Sequence, residues 1–117
     1  MAFLGVDAVV VRVPSLDEGL AFYRDKLGHA VIWRRPHAVG LRMGDGPAEL
    51  VLMTAIDAET DLLVTNVDEE VKAIVEAGAT VVAGPFDIEV GRAARVRDPF
   101  GNLLTIVDLS KGPLVAE

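Results

Sequence analysis

Val13-Pro14-Ser15-Leu16-Asp17-Glu18-Gly19-Leu20 ends an apolar run and continues with the residues that begin a helix. Ser15 suits the N-cap position, because its hydroxyl can accept a hydrogen bond from a backbone amide of the first turn. Glu18 stands three residues later, as a capping box requires, and Asp17 places negative charge where the helix dipole favours it. The stretch therefore predicts a strand that is followed directly by a helix.

The same pattern returns in the second half of the chain as Val64-Thr65-Asn66-Val67-Asp68-Glu69-Glu70-Val71. Here Asn66 takes the N-cap position and Glu69 stands three residues later. Two such signals at matching places in 117 residues indicate an internally duplicated fold. Chance recurrence is the alternative, because helix starts resemble one another.

The first half is predicted to contain four strands and one helix. The helix should present Leu16, Leu20, Tyr23 and Leu27 as one apolar stripe, and Gly28 suits its C-cap. Pro36 and the group from Gly44 to Pro47 are typical of turns. The predicted strands cover residues 4–13, 30–35, 38–43 and 49–54, and the helix covers residues 16–27.

The second half repeats this order after a polar linker over residues 56–59. Its strands are predicted at 60–65, 79–83, 91–97 and 103–109, its helix at 67–77, and residues 111–117 are expected to fray. Gly84-Pro85 is expected to end the strand at 79–83. We predict an α+β fold in a single domain over residues 1–117, built from two paired β-α-β-β-β modules (about 1–55 and 59–110) that form a curved mixed sheet. One face of each sheet would carry a helix, and the other would enclose a core or a cavity.

Composition restricts the function. The chain has no cysteine, which excludes disulfides, thiolate nucleophiles and cysteine-ligated metal. A net charge of −7 without a large basic cluster argues against a nucleic-acid partner. No apolar run approaches the ~20 residues of a membrane span, so we expect no membrane partner and a cytoplasmic location. The serines are Ser15 and Ser110, which leaves almost nothing for a Ser–His–acid triad.

Three groups of residues resemble the vicinal oxygen chelate superfamily, which holds glyoxalases, bleomycin-resistance proteins and extradiol dioxygenases. They are Val11 to Leu16, the run Ala21-Phe22-Tyr23-Arg24-Asp25-Lys26-Leu27-Gly28, and Gly84-Pro85 with Gly91-Arg92 and Asp98-Pro99-Phe100-Gly101-Asn102. The resemblance implies the glyoxalase/bleomycin-resistance fold over nearly the whole chain. It does not fix the chemistry, since this superfamily hosts unrelated reactions.

The resemblance also implies where a metal would bind. In metal-dependent members the cation is held by His or Glu on the first and last strand of each module. The matching positions here are Ala8, Glu59, Thr105 and Val51, with Glu49 in place of Val51 if the register shifts by two. Alanine and valine have no donor atom, and a catalytic divalent ion normally takes three protein ligands. We therefore predict no metal and no other cofactor.

A retained cavity would be lined by aromatic and cationic side chains. Trp33 could stack on a planar ligand, and an arginine could hold a carboxylate or phosphate in a forked hydrogen bond. The alternatives are that Trp33 belongs to the core or a dimer interface, that each arginine is solvated, and that Glu59 and Asp61 are solvated acids at a strand entry. The candidate pocket residues are Trp33, Arg35, His37, Glu59, Thr105 and Arg12, with Arg42, Arg92 and Arg95 on later strands.

Three functions remain open. The first is a metal-free small-molecule-binding protein that sequesters a toxic or antibiotic compound. The alternative is a metal-dependent lyase, isomerase or dioxygenase with a site rearranged around Glu59, Glu49 and His37. The third is a non-catalytic interaction domain with a closed core. The catalytic residues are unknown, and a homodimer is expected because two-module chains of this superfamily commonly pair.

Overall fold

The computed structural model describes residues 1–112, which fall into two compact units. The first unit is formed by residues 7–60, and the second by residues 1–6 and 61–112. The predicted order β-α-β-β-β occurs twice, and the α+β class is confirmed. The elements are β1 Gly5–Arg12, α1 Leu16–Leu20 with a π-helical continuation Ala21–Lys26, β2 Val31–Arg35, β3 Ala38–Arg42, β4 Glu49–Met53, β5 Glu59–Leu63, α2 Val67–Glu76, β6 Thr80–Ile88, β7 Gly91–Arg97 and β8 Leu103–Val107.

Each unit has the same mixed strand pairing. In the first, the order is β2-β3-β4-β1, with β1 parallel to β4 and the other pairs antiparallel. In the second, the order is β6-β7-β8-β5, with β5 parallel to β8 and the other pairs antiparallel. In both units the strand that precedes the helix therefore lies beside the last strand of that unit.

The two predicted helix caps are confirmed. The Ser15 hydroxyl accepts a hydrogen bond from the Glu18 amide at 3.1 Å, and it donates one to the Glu18 carboxylate at 2.9 Å. The side-chain oxygen of Asn66 accepts from the Glu69 amide at 3.0 Å. These contacts satisfy amides that have no partner within their own helix. Local sequence thus sets where both helices begin.

The apolar stripe predicted for the first helix is correct only in its first part. Leu16 and Leu20 are buried in the first core and Tyr23 packs against it, but Leu27 is 52% exposed. The reason is the π-helical continuation, in which the Leu27 amide donates to the Phe22 carbonyl, five residues earlier. Each residue advances less around the axis in such a segment, so Leu27 no longer lies above Leu20. The prediction for Leu27 is therefore wrong.

The prediction that Gly84-Pro85 ends a strand is also wrong. Strand β6 continues through a cis Gly84–Pro85 peptide to Ile88. Proline lacks a backbone donor and is tolerated on outer strands and at bulges. Strand β6 is the outer strand of its unit, and its register with β7 shifts between Ala83 and Phe86.

The chain end is described only as far as residue 112. The Lys111 amide donates to the Val90 carbonyl at 2.8 Å, so fraying does not begin at Lys111. The expectation for residues 113–117 lies outside the described residues. Within residues 1–112, no helix has the length and apolar character needed to cross a membrane.

Apolar side chains of each helix pack on one face of the neighbouring strands. In the first unit, Leu16 and Leu20 of α1 join a core whose strand members are Val39, Leu41, Leu50 and Leu52. In the second, Val67 and Val71 of α2 join Val64, Ala94 and Ile106. Because side chains alternate along a strand, Thr105 and Arg95 point away from α2. Each unit thus has a helix-covered face and an opposite face.

Asp108, directly after β8, is a buried carboxylate that joins three parts of the second unit. It is 2% exposed and accepts from the amides of Val67 (2.9 Å), Arg92 (3.0 Å) and Ser110 (3.2 Å), and from the Ser110 hydroxyl (2.7 Å). Burial acts to raise the pKa of Asp108, but these hydrogen bonds outweigh it and leave the pKa below its usual value. The carboxylate thereby holds the first residue of α2 against the start of β7.

Candidate ligand-binding site

In the first unit, the middle of the face opposite α1 is apolar and buried. Ala8, Val10 and Val51 are each less than 10% exposed, and Trp33 is 7% exposed. Trp33 pairs with Gly40 on β3, and its indole lies directly against the Gly40 backbone, where a Cβ atom would collide with the ring. The indole Nε1 donates to the Glu49 carboxylate at 2.8 Å. Trp33 is therefore packed and hydrogen-bonded, not an open stacking surface.

Two acids lie near each other at one end of this unit. Burial first, and the charge of Glu49 second, raise the pKa of Asp7 on β1. Asp7 thus binds its proton more readily than a solvated aspartate does. One carboxylate oxygen of Glu49 accepts the hydrogen bond from the Trp33 indole.

The corresponding face of the second unit carries a row of polar side chains. Thr105 on β8 is flanked by Asp61 on β5 and by Arg95 on β7. Neighbouring strands of a sheet lie about 4.8 Å apart, so the side chains of register partners on one face are neighbours. Thr105 is 5% exposed, and one carboxylate oxygen of Asp61 is buried. A carboxylate, a hydroxyl and a guanidinium are thus brought side by side.

Arg95 is held against an aromatic ring. Its guanidinium carbon lies 5.8 Å from the centroid of the Phe86 ring, a cation–π geometry. Gly84 makes this approach possible, because a Cβ at this position would lie 2.8 Å from Phe86 Cδ1 and 2.9 Å from the Ala93 carbonyl. The backbone of Gly84 also has a φ of 83°, a conformation that glycine adopts readily.

The polar row lies between a buried end and an exposed end of this face. Along β8, Val107 is 4% exposed, Thr105 is 5% exposed and Leu103 is 51% exposed. Arg97, two residues from Arg95 on the same face of β7, is exposed and donates to the Gly101 carbonyl at 2.9 Å. The face is therefore open towards Leu103 and Arg97.

The first unit has no counterpart of this polar row. In its own register the central row is Val10, Val51 and Gly40, covered by Trp33. The two units thus share strand order and helix position but differ in the chemistry of the face opposite the helix. The duplication predicted from the sequence does not extend to this face.

The structure places the remaining candidates in separate surroundings. Arg12 forms an exposed ion pair with Asp57 at 2.9 Å. Arg35 is half-buried and donates to the Arg34 carbonyl at 2.8 Å. His37 lies in the exposed turn after β2, where its carbonyl accepts from the Thr54 amide at 3.1 Å. Glu59 is half-buried at the first position of β5.

Asp61 and Phe86, which lie near Thr105 and Arg95, were not predicted to belong to the site. Asp61 was expected to be solvated, but one of its carboxylate oxygens is buried. Phe86 lies after the point at which the strand was predicted to end, and no sequence motif indicated a role for it in the site. Its position depends on β6 continuing past Pro85, and Asp61 could have been found from its alternation with Glu59 on β5.

Comparison with known proteins identifies the family. Residues 5–106 match the model of the Glyoxalase/Bleomycin resistance protein/Dioxygenase superfamily. The chain belongs to this superfamily. The fold implied by the sequence resemblance, the glyoxalase/bleomycin-resistance fold, is therefore confirmed. A search of curated proteins found no match.

Solved structures of this superfamily show the same fold at low sequence identity. Methylmalonyl-CoA epimerase from Mycobacterium tuberculosis is 18% identical with a TM-score of 0.80, covering 93% of this chain and 90% of that one. A variant of Streptomyces coelicolor methylmalonyl-CoA epimerase, in complex with 2-nitronate-propionyl-CoA, is 17% identical with a TM-score of 0.77, covering 93% and 99%. Homoprotocatechuate 2,3-dioxygenase from Brevibacterium fuscum is 22% identical with a TM-score of 0.71, covering 97% of this chain and 39% of that one.

The residues at the implied metal positions do not fit a catalytic divalent ion. Ala8 and Val51 have no donor atom, and a threonine hydroxyl such as that of Thr105 is a weak ligand. In the part of the chain from 1 to 112, no group of three or more His, Asp or Glu side chains could hold a metal ion. Glu59 is the one strong donor among these four positions.

Proposed function

We propose that this chain is a small-molecule-binding member of its superfamily that works without a catalytic metal. The observation that supports the proposal is the row of Asp61, Thr105 and Arg95 on the face opposite α2. A few polar side chains that converge on a largely buried surface are typical of ligand sites. Leu103, two residues from Thr105 on β8, is exposed, and we propose that a ligand reaches the row from this end.

Sequestration is the biological role that we propose for this binding. Bleomycin-resistance proteins give their name to part of the superfamily model that the chain matches. A protein that binds a toxic or antibiotic compound and leaves it chemically unchanged needs a complementary site but no metal. The donor-poor positions Ala8 and Val51 support this role over catalysis. We also propose a cytoplasmic location, which the cysteine-free composition supports.

Ligand binding should be visible as thermal stabilisation. A ligand present at 100 times its Kd adds about 2.7 kcal/mol to the free energy of unfolding. For a domain of this size the melting temperature should rise by roughly 10 °C. The measurement is a thermal-shift screen against planar and acidic compounds and their neutral analogues, with recovery of the ligand by mass spectrometry. No shift with any compound would contradict binding and favour a closed interaction domain.

The second candidate is a metal-dependent lyase, isomerase or dioxygenase. Its support is the structural similarity to methylmalonyl-CoA epimerases and to a dioxygenase. The site would use Glu59, Glu49 and His37, but Glu49 accepts from Trp33 and His37 lies in an exposed turn. Elemental analysis of protein purified without chelator separates the candidates. A stoichiometric transition metal that is lost in Glu59→Gln would establish the second and exclude the first.

We further propose that two copies of the chain form a homodimer. Strand β6 is the outer strand of the second unit and carries Val81 and Val82, which are 45% and 48% exposed. Exposed apolar side chains on an outer strand favour pairing with another chain. Sedimentation at micromolar concentration should give twice the mass of one chain, and Val82→Lys should reduce this mass. A monomer at that concentration would refute the dimer.

A further inference from the structure

We infer that the ligand of the second unit is a small monocarboxylate, whose carboxylate is held by Arg95 and Thr105. This inference rests on the small-molecule binding proposed above and names the class of compound. It depends on the polar row, on the Phe86 ring beside it and on the sign of the surrounding charges.

Arg95 supplies the donors. A guanidinium has five N–H donors in a planar fork, so it can hold an internal acceptor and still bind a carboxylate. The Phe86 ring lies 5.8 Å from the guanidinium carbon and limits the orientations of its plane. Arg95 is half-buried, which strengthens a charge-assisted hydrogen bond compared with one on the open surface. The orientation of the guanidinium is thus restricted before a ligand arrives.

Thr105 supplies a second contact to the carboxylate, beside Arg95 on the same face of the sheet. It is the register partner of Arg95 on the neighbouring strand, and its hydroxyl can donate to one carboxylate oxygen. Leu103, two residues along β8, is 51% exposed and offers an apolar surface beside this position. A carboxylate with a compact apolar body therefore matches the row and its open end.

The charges around the polar row favour binding of a carboxylate over binding of a phosphate. Asp61 lies on the other side of Thr105, and the whole chain carries a net charge of −7. Both repel an anionic ligand, and this repulsion grows with the charge of the ligand, while a single arginine in the row supplies the attraction. A monoanion should bind better than a dianion of similar size. We therefore assign a monocarboxylate, and inorganic phosphate serves as the competing anion in the test.

The test uses matched ligands and matched variants. The probes are benzoate, phenylacetate, their neutral amides and inorganic phosphate, measured by calorimetric titration against the whole chain. Wild-type protein should bind a carboxylate at least tenfold more tightly than its amide and than phosphate. Arg95→Gln should lose at least tenfold, Arg95→Lys should lose less, and Thr105→Val should lose several-fold. Arg34→Gln, an exposed strand arginine of the first unit, is the control and should bind as wild type does.

The outcomes distinguish this inference from the proposed function. Equal binding of carboxylates and amides, or tighter binding of phosphate, overturns the monocarboxylate assignment and leaves small-molecule binding standing. Unchanged carboxylate affinity in a folded Arg95→Gln protein overturns the assigned residues. Absence of any binding to wild-type protein, neutral compounds included, overturns both. If Arg95→Gln does not fold, the wild-type comparison of acid with amide and the Thr105→Val variant still decide the matter.

Discussion

Replacing Asp108 with alanine is expected to lower the free energy of unfolding by about 4 kcal/mol. The carboxylate accepts four hydrogen bonds, three of them from backbone amides of Val67, Arg92 and Ser110. Without it these amides lose their acceptor, and each buried donor left unsatisfied costs roughly 1–3 kcal/mol. Only the bond to Val67 is fully buried, so the expected total lies well below the sum of three maximal penalties. Urea denaturation at neutral pH measures the loss.

Asp108→Asn tests whether the charge matters as well as the shape. The asparagine side chain replaces one carboxylate oxygen with an NH2 group, which cannot accept from the backbone amides. This variant should therefore also be destabilised. The pKa of Asp108 lies below the usual value, so its contribution is present above the pKa of an unfolded aspartate and is lost as the pH falls through the lowered pKa. The stability difference from wild type should therefore be largest at neutral pH and shrink in acid, below about pH 4.

A matched control for both variants is Asp45→Asn, which removes a carboxylate from the exposed turn after β3. Its stability should equal that of wild type within ~0.5 kcal/mol. If Asp108→Asn were as stable as wild type at neutral pH, the hydrogen bonds of this carboxylate would not hold α2 to β7. A difference that stayed constant down to strong acid would mean that the charge of Asp108 does not contribute to stability.

The parts of the fold that were predictable from the sequence depend on neighbours along the chain. Ser15 and Asn66 cap their helices through contacts three residues away, and strand alternation is equally local. Asp108 was placed within the last strand, but its role depends on Val67 and Arg92, which are 41 and 16 residues away. The π-helical turn before Leu27 likewise depends on the Leu27 amide donating to the carbonyl five residues earlier instead of four. The residue pattern of the helix does not predict this shift.

The candidate site shows the same division. Thr105 was indicated by its place in the family pattern, and Arg95 by its position on a strand. Their association with Asp61 required the register of three strands, which apolar periodicity leaves undetermined. The ring of Phe86 reaches Arg95 only because β6 passes through Pro85 as an outer, bulged strand. Residue types were thus predictable, whereas their juxtaposition was not.

Replacing Gly40 with alanine is expected to displace Trp33 and to lower the free energy of unfolding by about 3 kcal/mol or more. The built Cβ would collide with the indole Nε1 and Cε2 atoms, so the ring must leave its position against β3. Its hydrogen bond to Glu49 would then be lost, and an aromatic side chain that is 7% exposed would become more accessible to water. The backbone of Gly40 imposes no positive φ, so the effect would come from the ring alone.

Trp33 is the single tryptophan of the chain, so its fluorescence reports this displacement without interference. Emission of Gly40→Ala should shift to longer wavelength in the folded state, and its unfolding midpoint in urea should fall. Gly46→Ala is the matched control, because its nearest neighbour, the Met43 carbonyl, lies 4.0 Å from the added carbon. Unchanged emission in a Gly40→Ala protein of wild-type stability would mean that the ring does not rest on Gly40.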